Sequence, residues 1–165
     1  MVQKPNIIWK GSPNFGYPTG TGGRQGYAFR AIVYHIMEGT MAGTASHFAN
    51  PNTRASTHFG IGKNGEIHQY VELDNAPYGN GAIRNPSWTG LIPDGKGDYV
   101  NPNLYTISIE HEGRHERDEA GNIVKFWEPT EAQYQASLAL TRWLCAEFGI
   151  IPSKETLIGH NKIDS

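Results

Sequence analysis

The run Phe29–Ile36 (FRAIVYHI) constrains the fold more than any other segment. It is mostly apolar, rich in β-branched and aromatic residues, and lacks the polar alternation of a half-exposed strand. That is the pattern of a strand buried on both faces of a sheet. A histidine, His35, stands near its end.

Around this strand the chain alternates between short extended runs and helical signals. Thr40 is placed to cap a short helix through Phe48, which Asn50-Pro51-Asn52 stops; Ser56–Gly62 then resumes extended structure. Asn64-Gly65, followed by Glu66–Val71, predicts a hairpin, because both turn residues tolerate positive φ. Residues Asp74–Asn103 carry turn signals throughout, and a loop of that length borders a binding site in a compact domain. In Leu104–Glu110 (LYTISIE), Tyr105, Ile107 and Ile109 alternate with Thr106, Ser108 and Glu110, so Glu110 falls on the less apolar face. Thr130 and Gln133 form a capping-box pattern ahead of a helix whose apolar positions are Tyr134, Leu138, Cys145 and Phe148, with Gly149 as its stop. Thr156–Ile158 reads as a last short strand, and Met1–Tyr27 as an irregular arm without periodicity.

A chain of 165 residues fits one domain. The formal charge of −2 is spread along it, which gives no electrostatic footprint for nucleic acid. The single cysteine, Cys145, lies in an apolar periodic stretch and reads as a core residue. No run reaches the roughly 18 apolar residues of a membrane span, and Met1–Gly16 lacks the apolar segment of a secretory signal. The expectation is a protein made soluble in the cytoplasm, with no membrane partner.

Seven histidines invite a metal reading. His111-Glu112-Gly113-Arg114-His115 matches H-E-x-x-H, in which a helix brings two imidazoles one turn apart onto zinc. Here the motif continues an alternating β run and contains a glycine, which argues against the helix it needs, and a zinc protease built on His111 and His115 is the lesser alternative. His35, Glu110 and His160 instead stand at or just after the ends of three separate strands, where distant positions share a cleft.

The stretches AIVYHIMEGT, ASTHFGIGKNGEIHQYV, NLYTISIEHEG and LIGHNKID resemble, in order and separation, the zinc-dependent N-acetylmuramoyl-L-alanine amidase family, which includes phage endolysins, bacterial wall amidases and peptidoglycan recognition proteins. The resemblance runs from about Ala31 onward. It implies a single α/β domain with a central mixed β-sheet flanked by α-helices and one zinc ion (Zn2+) in a groove. By position, His35 and His160 match two zinc ligands and Glu110 matches the acid of an S-I-x-I-E pattern. The implied reaction is hydrolysis of the amide between N-acetylmuramic acid and L-alanine in peptidoglycan, with Glu110 moving the proton.

The implied partner is peptidoglycan, both glycan strand and stem peptide, met by a monomer after its release to the wall. The loop Ala76–Gly81 resembles the family's groove-lining segment, which makes Tyr78 and Asn80 candidate substrate contacts. Two departures stand out. The family's third ligand would fall after Ser165, where a wall-binding domain is also expected; Asp164 sits too near His160 for the family spacing. Thr57 precedes His58 where many relatives have Tyr. The alternative from another class is a peptidoglycan-binding module that kept the groove and lost catalysis.

Overall fold

The computed structural model describes residues 2–18 and 20–164. Ten regular elements follow in chain order: β1 (Ile8–Trp9), β2 (Ala31–Ile36), α1 (Met41–Ala49), β3 (Phe59–Ile61), β4 (Ile67–Gln69), β5 (Thr106–His111), β6 (His115–Arg117), β7 (Ile123–Phe126), α2 (Glu131–Phe148) and β8 (Leu157–Gly159). Short 3-10 turns occupy Pro102–Leu104 and His160–Lys162. Six strands form one sheet in the order β1-β4-β3-β5-β2-β8, and β6 with β7 make a separate two-stranded ribbon. In the sheet, β3, β5, β2 and β8 run parallel, β4 is antiparallel to β3, and β1 pairs parallel to β4.

Strand β2 lies between β5 and β8, and Ala31, Ile32 and Val33 are fully buried, as its unbroken apolar run requires. On one face Ile32, Ile61, Ile107 and Ile109 pack against Leu140, Trp143 and Leu144 of α2. On the other, Ala31, Val33 and Ile158 pack against Trp88, Leu91 and Ile163, so the long 74–103 segment and the chain's last turn form the second layer. Helix α1 sits to the side, where Phe48 joins Tyr70 and Val71 in a smaller cluster.

Helix α2 begins and ends where the sequence predicts, and its buried face differs. The Thr130 hydroxyl accepts from the Gln133 N–H at 3.1 Å, and Gly149 closes the helix in the left-handed region at φ 66°. The Gln133 side chain does not fold back to complete a capping box. It is buried, and its amide donates to the carbonyls of Ile61 (3.0 Å) and Glu112 (2.9 Å), stitching α2 to the sheet. The buried stripe therefore runs through Gln133, Leu140 and Leu144, and Tyr134, expected in the core, is 57% exposed. Apolar periodicity missed this because the residue that anchors the first turn is polar.

Three further expectations change in detail. In the β3–β4 hairpin only Gly65 takes positive φ (83°), with its N–H donating to Gly62 O at 2.9 Å, and Asn64 contributes its side-chain oxygen to the Glu66 N–H instead. Leu104 belongs to the 3-10 turn, and β5 starts at Thr106. Within the arm, Ile8–Trp9 adds an edge strand on β4, too short to show a period. Among the described residues no helix is long and apolar enough to cross a membrane.

Candidate active site

The parallel register of β2 and β5 sets His35 directly opposite Glu110. Paired positions on neighbouring strands point to the same face, about 5 Å apart. On the other side of β2, Tyr34 pairs with Gly159, so the next residue, His160, emerges level with His35. The two imidazole rings lie 4.6 Å apart between centroids and are tilted by 35°. Three groups separated by up to 125 positions thus meet at the carboxyl ends of three adjacent parallel strands, where open α/β sheets place their ligand crevices.

Their surroundings set their chemistry. His35 is 8% exposed, and its buried Nε2 has no hydrogen-bond partner among the described residues. Burial, reinforced by the neighbouring His160 and His111, lowers its pKa to about 3, so the ring is neutral at physiological pH. His160 is anchored through Nε2 to the backbone carbonyl of Asn80 at 3.0 Å, which makes Nε2 the protonated nitrogen and leaves Nδ1 its lone pair. Burial, and secondarily the Glu38 carboxylate, raise Glu110 to about 7; its Oε2 is also buried and unpartnered. These groups open into a cleft of about 1360 Å³ that also takes in Gly79, Glu38, His111 and the start of α2.

Two imidazoles, His35 with its Nε2 unpartnered and His160 held through its Nε2, are a donor set that suits zinc, and they fill two corners of a four-coordinate site. Among the described residues no third His, Cys, Asp or Glu joins them. The Asp164 carboxylate faces elsewhere, paired with the Arg84 guanidinium through two hydrogen bonds of 2.9 and 2.8 Å. The residues fit the metal in part, and the cleft supplies the base beside it.

The H-E-x-x-H segment is extended, as its β context implied. His111 ends β5 and His115 begins β6, so no helical turn stacks them. His111 points to the opposite face from Glu110, with Nδ1 toward the His35 carbonyl (3.3 Å) and Nε2 2.8 Å from the Ser137 hydroxyl. Glu112 accepts from the Met41 and Lys63 N–H groups, and His115 pairs with Glu38. All three side chains serve as struts.

Of the two expected substrate contacts, neither lines this cleft. The Tyr78 hydroxyl donates to the carbonyls of Phe15 and Gly16, and the ring borders a second, smaller pocket of about 470 Å³. Asn80 is fully buried; its amide donates to Thr106 Oγ1 at 2.9 Å, and its carbonyl holds His160. Gly79 between them does reach the cleft, and a Cβ there would sit 2.8 Å from Ser108 Oγ, so the loop passes only because that residue is glycine. Glu38 was not expected at all. It lies just beyond β2 at φ 53°, a backbone state that spacing does not signal.

The family described as N-acetylmuramoyl-L-alanine amidase matches residues 25–165. A relative named N-acetylmuramoyl-L-alanine amidase A, from Achromobacter lyticus, is 33% identical over 144 residues, covering 87% of this chain. The chain spans 63% of that relative's length. Among solved structures, a selenomethionine derivative of AmpD superposes with a TM-score of 0.66 at 22% identity, over 96% of this chain and 83% of that one. The amidase AmiD from E. coli, solved with anhydro-N-acetylmuramic acid-L-Ala-D-γ-Glu-L-Lys, gives 0.65 at 22% identity over 88% of this chain and 53% of that one. At such identities the likeness establishes the fold. Together with a family match that spans most of the sequence, it means that the chain belongs to the N-acetylmuramoyl-L-alanine amidase family.

Proposed function

We propose that the protein is a zinc-dependent amidase that hydrolyses the bond between N-acetylmuramic acid and L-alanine in peptidoglycan. The observation that carries the reading is the convergence of His35, Glu110 and His160 in one cleft at the carboxyl edge of the sheet. His35 and His160 would hold the metal, with a further ligand from outside the described residues. When bound there, zinc supplies Lewis acidity toward the amide carbonyl and lowers the pKa of water to about 7.

The chain's own groups do the rest. The Asn80 carbonyl fixes the tautomer and orientation of His160. Burial keeps His35 neutral, so a proton does not compete for its free nitrogen. A Glu110 carboxyl with a pKa near 7 is poised both to accept the proton of the attacking water and to return it to the departing alanine amine. The family match and the substrate named for AmiD support the hydrolysis; action on the wall after release is part of the same proposal.

The test uses the full-length protein on purified peptidoglycan, following newly released amino groups. Zinc-dependent release that chelator stops and zinc restores supports the proposal; binding to the wall without release, at any zinc level, rejects it in favour of a non-catalytic module.

A further inference from the structure

His160 takes its orientation from a carbonyl, and that carbonyl is itself held from elsewhere. The ring Nε2 lies 3.0 Å from the Asn80 oxygen, an atom that can only accept, so Nε2 carries the proton and Nδ1 keeps its lone pair. A carbonyl flanked by glycines is not fixed by its own chain. Asn80 stands between Gly79 and Gly81, the latter at φ 58°. Two buried side chains fix it instead: Asn103, in the turn before β5, and Thr106, the first residue of that strand.

Asn103 Oδ1 accepts from the N–H groups of Gly79 (3.2 Å) and Asn80 (3.0 Å) together. Backbone N–H groups only donate, so the amide cannot turn over, and its Nδ2 is engaged in donating to the Tyr17 hydroxyl at 2.7 Å. Thr106 Oγ1 gives its one proton to the Pro102 carbonyl at 2.8 Å and therefore accepts from Asn80 Nδ2 at 2.9 Å. Asn80 is thus gripped at its N–H and at its side chain, and its carbonyl is left aimed at His160. Asn80, Asn103 and Thr106 are each at most 2% exposed, a setting in which hydrogen bonds are stronger than in water.

We propose that Asn103 and Thr106 are positioning residues for His160, acting through Asn80 to present the ring Nδ1 to the metal. The role of the ring as ligand rests on the zinc reading; its orientation rests on these hydrogen bonds alone. Neither residue lines the cleft, so both act at a distance. Thr106 shares a strand and a face with Glu110, four residues on. The strand that supplies the carboxylate therefore also holds, at its other end, the loop that aims the imidazole.

The test reads the ring and the metal separately. In metal-free, full-length protein, proton–nitrogen correlation spectra of the histidine side chains report the tautomer. Native His160 should be held as Nε2–H, and Asn103→Ala and Thr106→Val should each give a mixture. Asn103→Asp and Thr106→Ser keep the accepting oxygens and should keep the single tautomer. Zinc affinity, measured by competition with a chelator, should fall about tenfold to a hundredfold in the first pair and less than about threefold in the second. Gln133→Met controls for destabilisation alone, since Gln133 bonds to Ile61 and Glu112 and not to this loop, and it should change neither readout. Thr106→Val keeps the shape of the side chain and carries the test if Asn103→Ala does not fold. A single tautomer with native zinc affinity in the folded variants, or the same changes in Gln133→Met, overturns the proposal. A native protein that takes up no zinc rejects the metal reading, and the tautomer spectra then decide the positioning by themselves.

Discussion

Protonating His58 breaks the contact that its Nδ1 accepts and places a charge in the core. The ring is fully buried, accepts the Ser108 N–H at Nδ1 (3.1 Å) and faces the Asn75 carbonyl through Nε2 (3.2 Å), and burial lowers its pKa to about 3. A depressed folded-state pKa means that its contribution to stability is complete above the unfolded value of about 6.5 and is lost as pH falls toward the folded one. Between pH 7 and 5 this group should cost about 2 kcal/mol. Urea unfolding at both pH values should show a smaller loss for His58→Gln than for the native protein; equal losses would contradict the assignment. Glu110 has the opposite sign. Its raised pKa leaves stability intact below about 4.5 and removes it as pH rises through 7. In metal-free protein Glu110→Gln should therefore be the more stable form at pH 8, by on the order of 2–3 kcal/mol, with no gain at pH 4. Unchanged unfolding at pH 8 would mean that the carboxyl is not held in a desolvated site. The same substitution should remove most amide hydrolysis, because it takes away proton transfer and leaves both imidazoles in place.

Helix α2 shows where reading by pattern stops. Thr130, Gly149 and the helix between them were legible, because caps and breakers act locally. The buried face was not, since Gln133 enters the core to pair two carbonyls that belong to distant strands. Replacing it by Met keeps the volume and leaves the Glu112 carbonyl unpaired, which should cost about 1–3 kcal/mol in denaturant unfolding. A loss under about 0.5 kcal/mol would show that the stitch is dispensable. The β6–β7 ribbon was missed for a related reason. All four residues of β7 are exposed, so Ile123, Val124 and Phe126 do not alternate between a wet and a dry face. By contrast, β2 was plain from its run of apolar residues, because both of its faces are covered.

At the scale of the molecule, the fold acts as a ruler. Parallel strands with their carboxyl ends on one side bring His35, Glu110 and His160 to a single edge, and each of the three was legible as a residue at a strand end. What no spacing revealed is the second layer, in which the 74–103 segment doubles as core and as the holder of His160 through Asn80. The roles of Tyr78 and Asn80 followed from the same loop, whose side chains turn inward. The most direct test is zinc titration of the full-length protein. One zinc should bind, His35→Ala and His160→Ala should each abolish it, and His111→Ala and His115→Ala should leave it intact. Zinc uptake that survives the first pair and fails with the second would contradict the account.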